Sequence, residues 1–490
     1  MTKISEDVVT IKRLRVCCAS LGSARAPLMR RQLLIALILT CVSAWPQDSR
    51  AQEAVSSTSG GTSGTSNASS SATSTTDLSA GTSSASSPQA VSNAPSAANS
   101  LQTAPGGSGV FSPTPVQLYL SVFGGYDDNV NTNLGPKRGS EFVGGNAILD
   151  YTFGDPRLQI ALNGGAGGNL YFENVNGQDY DIDLKGAVGI TYKSTPRLTI
   201  GGTALLAYLT EPDFENPGGL NSRNGNYFYT NDKLFASYAW SRRFSTKTSY
   251  LFDAYQYNNS AVALYSNHVT NTFGNEFRFQ LAPTTLLIAE YRYGIVSYQH
   301  EGEVTIPATI FMPAERLQLD SMSQYVLGGV DHVFNPRFSG SIRGGAEFRS
   351  YDAGGDRTGP YFEGTLNYAV GKRTSVSWNA RYGIEEPEVV GAQSRTTFRT
   401  GLHAKFDLTS RVSSTFDAYY AHDDYHSDSN STVPIVPFTE NSFDIGLGIH
   451  YAITPMFGVQ AGYHYTDVTS DAGGREYSRN RVTGGVSLKF

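Results

Sequence analysis

Cysteine is almost missing from this chain. The three present, Cys17, Cys18 and Cys41, all precede residue 52. Residues 52–490 can therefore form no disulfide, thiolate metal site or cysteine nucleophile. Methionine (5) and tryptophan (3) are scarce, and no apolar run reaches the roughly 20 residues that a membrane-spanning helix needs. Basic blocks are lacking too. The formal charge is −6; residues 1–51 hold eight Lys/Arg against three acids, which leaves 29 basic and 40 acidic residues, or −11, in the remainder. That balance argues against a nucleic-acid partner.

What is abundant is Tyr (29), Phe (25) and Gly (51). Such a mixture suits strands, turns and aromatic girdles better than helical packing. The first stretch reads as a leader. Met29-Arg30-Arg31 precedes an apolar run, Leu33–Trp45, and Ser49 and Ala51 stand at the −3 and −1 positions of a cleavage site. This is the layout of a secretory signal peptide over residues 1–51, with Met29 a candidate for the true start. Cys41 raises a lipoprotein alternative, for which Thr40 is a poor neighbour. Residues 52–113 are Ser, Thr, Gly and Ala with scattered Asn and Pro. Too little apolar surface is available there to offset ordering entropy, so a disordered periplasmic linker is expected.

From 114 to 490 the texture is uniform. Segments of alternating apolar and polar residues are broken in two ways. Tight breaks recur as Asp155-Pro156-Arg157-Leu158, Thr195-Pro196-Arg197-Leu198, Asn335-Pro336-Arg337-Phe338 and Thr454-Pro455-Met456-Phe457. Segments beginning at Ser241, Ala282, Gly371 and Leu408 fill the same slot. Proline presets a turn and ends a strand cleanly. Between the tight breaks come longer polar ones, such as Asn129–Gly139, Pro212–Asn226, Glu301–Asp320 and His426–Glu440. Eight tight turns and nine long loops predict about eighteen antiparallel strands, with both chain ends on one side.

Within the strands the alternation is strict. Arg395–Leu408 sets Phe398, Leu402 and Phe406 against Arg399, His403 and Lys405. Met322–Phe334 is ambiguous, because Asp331 or His332 must face an awkward side in either register. In a bilayer every backbone polar group must be paired, so such strands must close into a barrel. The last ten residues alternate likewise. Val482, Val486, Leu488 and the terminal Phe490 share one face, which resembles the signal that barrel-assembly machinery reads in outer-membrane proteins.

Placing the polar faces inward predicts a pore lined by Arg157, Lys185, Arg278, Arg292, Arg343, Arg349, Arg381 and Arg399. The acids among them are Asp253, Glu276, Glu290, Glu347, Asp417 and Asp444, with Lys247 and Glu363 alongside. Interspersed signs suit a wet interior whose neighbouring strands pair their charges, without strong ion selectivity. No chemistry beyond this is indicated. His422-Asp423-Asp424 with His426 matches no recognised zinc or calcium spacing. Gly164–Gly168 lacks the Lys-Ser/Thr of a phosphate loop. No catalytic constellation, cofactor motif or metal site is predicted, and the chain does not read as an enzyme.

The first strand ends in Gly124-Gly125-Tyr126-Asp127-Asp128-Asn129-Val130. With the terminal Phe490, this motif resembles the putative β-barrel porin family (the second family of that name). The resemblance covers about 115–490 and implies a bacterial outer-membrane barrel, some members being associated with exopolysaccharide export. Tyr126 is expected at the membrane interface and Asp127–Asn129 at the start of an external loop. The expected function is passive diffusion of small hydrophilic solutes. The alternative is a barrel component of polysaccharide export or secretion, and a surface adhesin or barrel enzyme has least support. The expected partners are outer-membrane lipid, the assembly machinery and small solutes or polysaccharide. Val304–Met312, within Glu301–Asp320, makes that loop the candidate for folding into the pore.

Overall fold

The computed structural model describes residues 116–490, apart from 176–177, 211, 213–224, 300–304, 307–314, 317–318, 353, 371–372, 388, 390–391 and 428–436. The leader (1–51), the linker (52–113) and most of the loop 301–320 lie outside the described residues. The first nine strands are β1 (Val116–Asp127), β2 (Ser140–Gly154), β3 (Leu158–Val175), β4 (Gln178–Lys193), β5 (Leu198–Thr210), β6 (Asn226–Ala239), β7 (Phe244–Tyr257), β8 (His268–Ala282) and β9 (Thr285–Tyr298). A two-residue pair, β10 (Thr305–Ile306) and β11 (Glu315–Arg316), stands in the next connection. There follow β12 (Ser321–Asn335), β13 (Phe338–Tyr351), β14 (Arg357–Val370), β15 (Thr374–Glu385) and β16 (Ala392–Asp407). The chain ends with β17 (Val412–Ser427), β18 (Phe438–Ala452), β19 (Phe457–Ser470) and β20 (Tyr477–Lys489). One seven-residue helix, α1 (Ser260–Ser266), lies between β7 and β8.

Apart from β10 and β11, the strands make one 18-stranded antiparallel sheet in sequence order. β1 closes it by pairing with β20, from Tyr119 opposite Lys489 to Asp127 opposite Arg481. The ladder runs to the last residue, because the backbones of Leu118 and Phe490 exchange hydrogen bonds of 2.8 and 3.1 Å. Closure removes the unpaired edges that an open sheet would expose. The strand number equals the sequence expectation.

The side-chain period of two sorts residues between the faces. Outward positions are apolar and exposed, such as Val122, Leu149, Leu184, Leu206, Ile342, Leu447 and Val486. Near the tight turns the outer face gathers aromatic rings. Tyr151 stacks on Phe153, Tyr238 meets Trp240 edge-on, and Phe338 contacts both Phe334 and Tyr368. The ambiguous strand β12 resolves with Asp331 inward, hydrogen bonded to Arg343 at 2.7 Å. His332 faces outward, beside Thr285 and against Phe334.

The tight turns share a device that does not depend on proline. A side-chain oxygen of the first turn residue accepts backbone N–H bonds from two and three residues ahead. Asp155 binds Arg157 and Leu158, Thr195 binds Arg197 and Leu198, and Ser241 binds Arg243 and Phe244. Thr409 and Thr454 repeat it, and Asn335 makes the first of the two bonds. Short polar side chains mimic a turn of backbone in this way. At Asp155 the N–H groups of Leu158 and Arg157 hold the carboxyl below the usual carboxylate range. On the other side, the connections are not uniformly long. β3 ends at Val175 and β4 begins at Gln178, because these two strands simply run further.

Candidate functional site

The inner face is the surface that can do chemistry, and it has two contrasting walls. Along β3–β5 it includes several Gly and Ala positions. Asn163, Gly165 and Gly167 on β3 stand opposite Ala187, Lys185 and Asp183 on β4. Gly189, Ala187 and Lys185 in turn face Thr203, Leu205 and Ala207 on β5. Lys185 is half-buried here.

Along β7–β17 the inner wall is packed with ion pairs. Glu276 takes Lys247 at 3.3 Å and Arg278 at 2.7 Å. Arg292 binds Glu290 at 2.6 Å, Glu363 at 2.7 Å and the Tyr361 hydroxyl at 3.2 Å. Arg343 joins Asp331 to Glu290. Arg349 bonds Glu347 and Glu386, which also accept from Tyr325 and Tyr298 respectively. Glu385 is the centre of a last group, within 3.1–3.4 Å of Arg381, Arg395 and Arg399. Glu276 and Glu347 are 0% exposed, and Arg292, Arg343 and Arg395 are 1% exposed. At that burial a charge persists only when paired and hydrogen bonded.

The partners are not only neighbours. Arg292 is on β9 and Glu363 on β14, with β12 and β13 between them. On a flat sheet three strand spacings are about 14 Å, beyond an arginine's reach. Side chains converge on the concave face of a closed barrel, which brings them together. Further round, His403 pairs with Asp417, and His464 and Thr466 both bind Asp444, at 2.5 and 2.7 Å. Asp253 accepts from Asn231 at 2.6 Å.

Of the residues that sequence placed in the pore, Lys185, Arg278, Arg292, Arg343, Arg349, Arg381, Arg399, Asp253, Glu276, Glu290, Glu347, Asp417 and Asp444 occupy this inner face. Arg157 does not: it is an exposed residue of the turn before β3. Glu385, Glu386 and Asp423 were missed. Glu385 is four residues from Arg381 on one strand, so its parity already placed it on the same face. Asp423 is inward and bonded to Thr397, whereas its neighbours His422 and Asp424 point outward, so the acidic His motif is split between faces.

A second inward feature was not foreseen. Rings on β6–β9 form a ladder: Tyr227 on Tyr257, Tyr229 on Tyr255, Tyr255 on His268, and His268 against Tyr298. Helix α1 lies on it, with Val262 buried among Ala207, Leu209 and the tyrosines. Asn259 caps the helix by accepting from the Ala261 N–H. In the 301–320 loop the described end, Leu319, is buried against Val296 and Tyr298.

The Asp127–Val130 motif also turns out to be a structural clamp. Arg479 binds Asp127, Asn480 donates from backbone and side chain to Asp128, and Asn129 donates to the Ser478 carbonyl. Val130 is fully buried against Phe123, Phe142 and Tyr171. These residues open the connection from β1 to β2 and at the same time fasten β1 to β20 across the closure seam. Tyr126 is on the outer face and half exposed.

A closed antiparallel barrel with an apolar outside and a polar inside is the architecture of an outer-membrane porin. The sequence profile of the family described as Putative beta-barrel porin 2 matches residues 117–490, and the chain belongs to that family. It is accordingly an outer-membrane channel-type barrel. No curated protein matches the chain. Solved structures similar to it include a BenF-like porin from Pseudomonas fluorescens Pf-5 (10% identity, TM-score 0.40, covering 76% of this chain and 99% of that one). Acinetobacter baumannii OccAB4 is also similar (10%, 0.37, 77% and 99%). So is the siderophore receptor PirA from Pseudomonas aeruginosa (9%, 0.35, 76% and 80%).

Proposed function

We propose that this protein is a passive diffusion channel for small hydrophilic solutes, and that they pass along the small-residue wall of β3–β5. The observation that carries this reading is the contrast between the two inner walls. Buried ion pairs fill the space beside β7–β17, while Gly165, Ala187 and Gly189 leave space beside β3–β5. Of the sequence-derived pore residues, Lys185 would then meet the solute most directly. The paired charges would set the shape of the passage rather than bind its cargo. Both signs are present in similar numbers, so ion selectivity is expected to be weak.

The same reading puts both chain ends in the periplasm, since β1 starts and β20 finishes at the tight-turn end. It also assigns Val482, Val486, Leu488 and Phe490 to recognition by the assembly machinery. The test is reconstitution into planar bilayers. Discrete conductance steps are expected from the folded protein, and folded, heat-modifiable protein that gives none would sink the channel reading. Deleting Phe490 is expected to lower the yield of assembled barrel, whereas undiminished assembly would remove the terminal signal from the account.

A further inference from the structure

Two arginines of β20, Arg479 and Arg481, stand on the inner face at the loop end of the closure seam, and only Arg479 is hydrogen bonded. Asp127 is opposite Arg481 in the ladder. Arg479 nevertheless takes both of its carboxylate oxygens, with Nε at 3.0 and 3.1 Å, and the Asn129 N–H occupies one of them as well. On the other flank His464 is in register with Arg481, and its own partner Asp444 is bound by His464 and Thr466. Asp181 accepts from the Tyr171 hydroxyl at 2.8 Å. The neighbouring carboxylates are thus engaged elsewhere.

Arg481 is 8% exposed and makes no hydrogen bond among the described residues. Its Nε and Nη2 are enclosed without an acceptor, whereas Nη1 is not enclosed and is the end that opens to the lumen. What supports the cation is a ring. Its Cζ lies 4.3 Å from the centre of Phe142. A Cβ at Gly125 would come within 2.7 Å of that ring, so glycine lets Phe142 lie across β1 toward β20. A ring face attracts a cation but accepts no ordinary hydrogen bond. Thr483, two residues on and on the same face, adds a hydroxyl, and Gly462 opposite it on β19 has no side chain to fill the space.

A buried charge without hydrogen-bond partners is costly and rare in native proteins. We propose that Arg481 is a lumenal subsite for an oxyanion, the carboxylate or phosphate group of a small solute, which binds at Nη1 with Phe142 behind the guanidinium. Charge-assisted hydrogen bonds of this kind are the strong ones. The site is a single station at the loop-end mouth. It delays an oxyanion, while the mixed charges elsewhere keep overall ion selectivity weak. That the group arrives on a passing solute rests on the channel reading; the binding itself does not.

Isothermal titration calorimetry of the folded barrel in detergent, with inorganic phosphate and with acetate as probes, reads the site without reading conductance. Saturable binding of at least one probe is expected, and the probe that binds identifies the group. Affinity is expected to fall about tenfold or more in Arg481→Met, the loss of one charge-assisted contact. Arg157→Met, which removes an exposed turn charge, is expected to match the parent. Arg481→Lys keeps the charge without the planar fork; it is expected to bind more weakly than the parent, and it keeps the test open should Arg481→Met fail to fold. Binding of neither probe to the parent, or parental affinity in the folded Arg481 variants, overturns the proposal. An equal loss in Arg157→Met would reduce the effect to net charge and overturn it too. In planar bilayers the bound probe is expected to interrupt the parent's current and not that of Arg481→Met. Calorimetric binding by a barrel that gives no conductance would sink the channel reading and leave the subsite standing.

Discussion

Along β3–β5 the inner face carries Gly165, Ala187, Gly189 and Thr203 around Lys185, while along β7–β17 it carries Lys247, Glu276, Arg292, Arg343, Glu347, Arg395 and Glu385. The strands of both walls obey the same alternation, and outside the polar groups of β6–β8 both have an apolar outer face. They differ in what fills the inside. Long charged side chains on a concave surface meet one another and become a buried polar core. In the proposed channel, the small residues at mid-height leave their side of the lumen open. A count of charges on inward positions therefore says little about what a solute touches, because the most charged wall is the one most occupied with itself.

The sharpest way to break the charged wall is to remove its centre. Glu385→Leu leaves Arg381, Arg395 and Arg399 facing one another, and losing one side of a buried pair typically costs about 3–5 kcal/mol. Urea unfolding of the barrel in lipid vesicles is expected to show a loss of that order. A change within about 0.5 kcal/mol, as at ordinary surface sites, would mean that this wall is wet.

The opposite wall is expected to respond in function rather than stability. A Cβ at Gly189 would make only ordinary contacts, with Ala161 and Thr203 at 3.9 Å. Gly189→Trp is therefore expected to keep stability within about 1 kcal/mol while lowering single-channel conductance. Unchanged conductance in a folded variant would move the passage away from this wall.

The smallest effect belongs to the turn that joins β2 to this wall. Because Asp155 has a folded pKa below its unfolded one, its contribution is present above the unfolded value, about 3.9, and fades as pH falls through the folded value. Asp155→Asn is expected to match the parent in strong acid and fall slightly behind it above about pH 4. A gap that widens in acid would contradict the sign.

Much of this architecture was legible because the two-residue period and the turn chemistry are local. Strand number and turn positions followed from the alternation of tight and long breaks, and most inward charges from parity. The turn device was also present in the letters, in Asp155, Thr195, Ser241, Asn335, Thr409 and Thr454, although proline drew the attention. Less local features were hidden. The partnership of Arg292 with Glu363 depends on barrel curvature, which no strand carries by itself. Glu385 and Glu386 sit where β15 gives way to a connection, although Glu385 shares its parity with Arg381. Helix α1 is only seven residues long, too short for a period to show, and docks inward because tyrosines on β6 and β7, with Ala207 and Leu209 on β5, supply its seat. The clamp at Asp127–Val130 needed β20 beside β1, a contact between the two ends of the barrel sequence.

The most direct test of the two-walled lumen is thiol labelling of single channels in planar bilayers. Ala187→Cys lies on the small-residue wall and Ser323→Cys on the charged wall, where Ser323 is 2% exposed. The account predicts that a charged, water-soluble thiol reagent cuts conductance through the Ala187→Cys channel and leaves the Ser323→Cys channel unchanged. Block at Ser323→Cys with none at Ala187→Cys would contradict it.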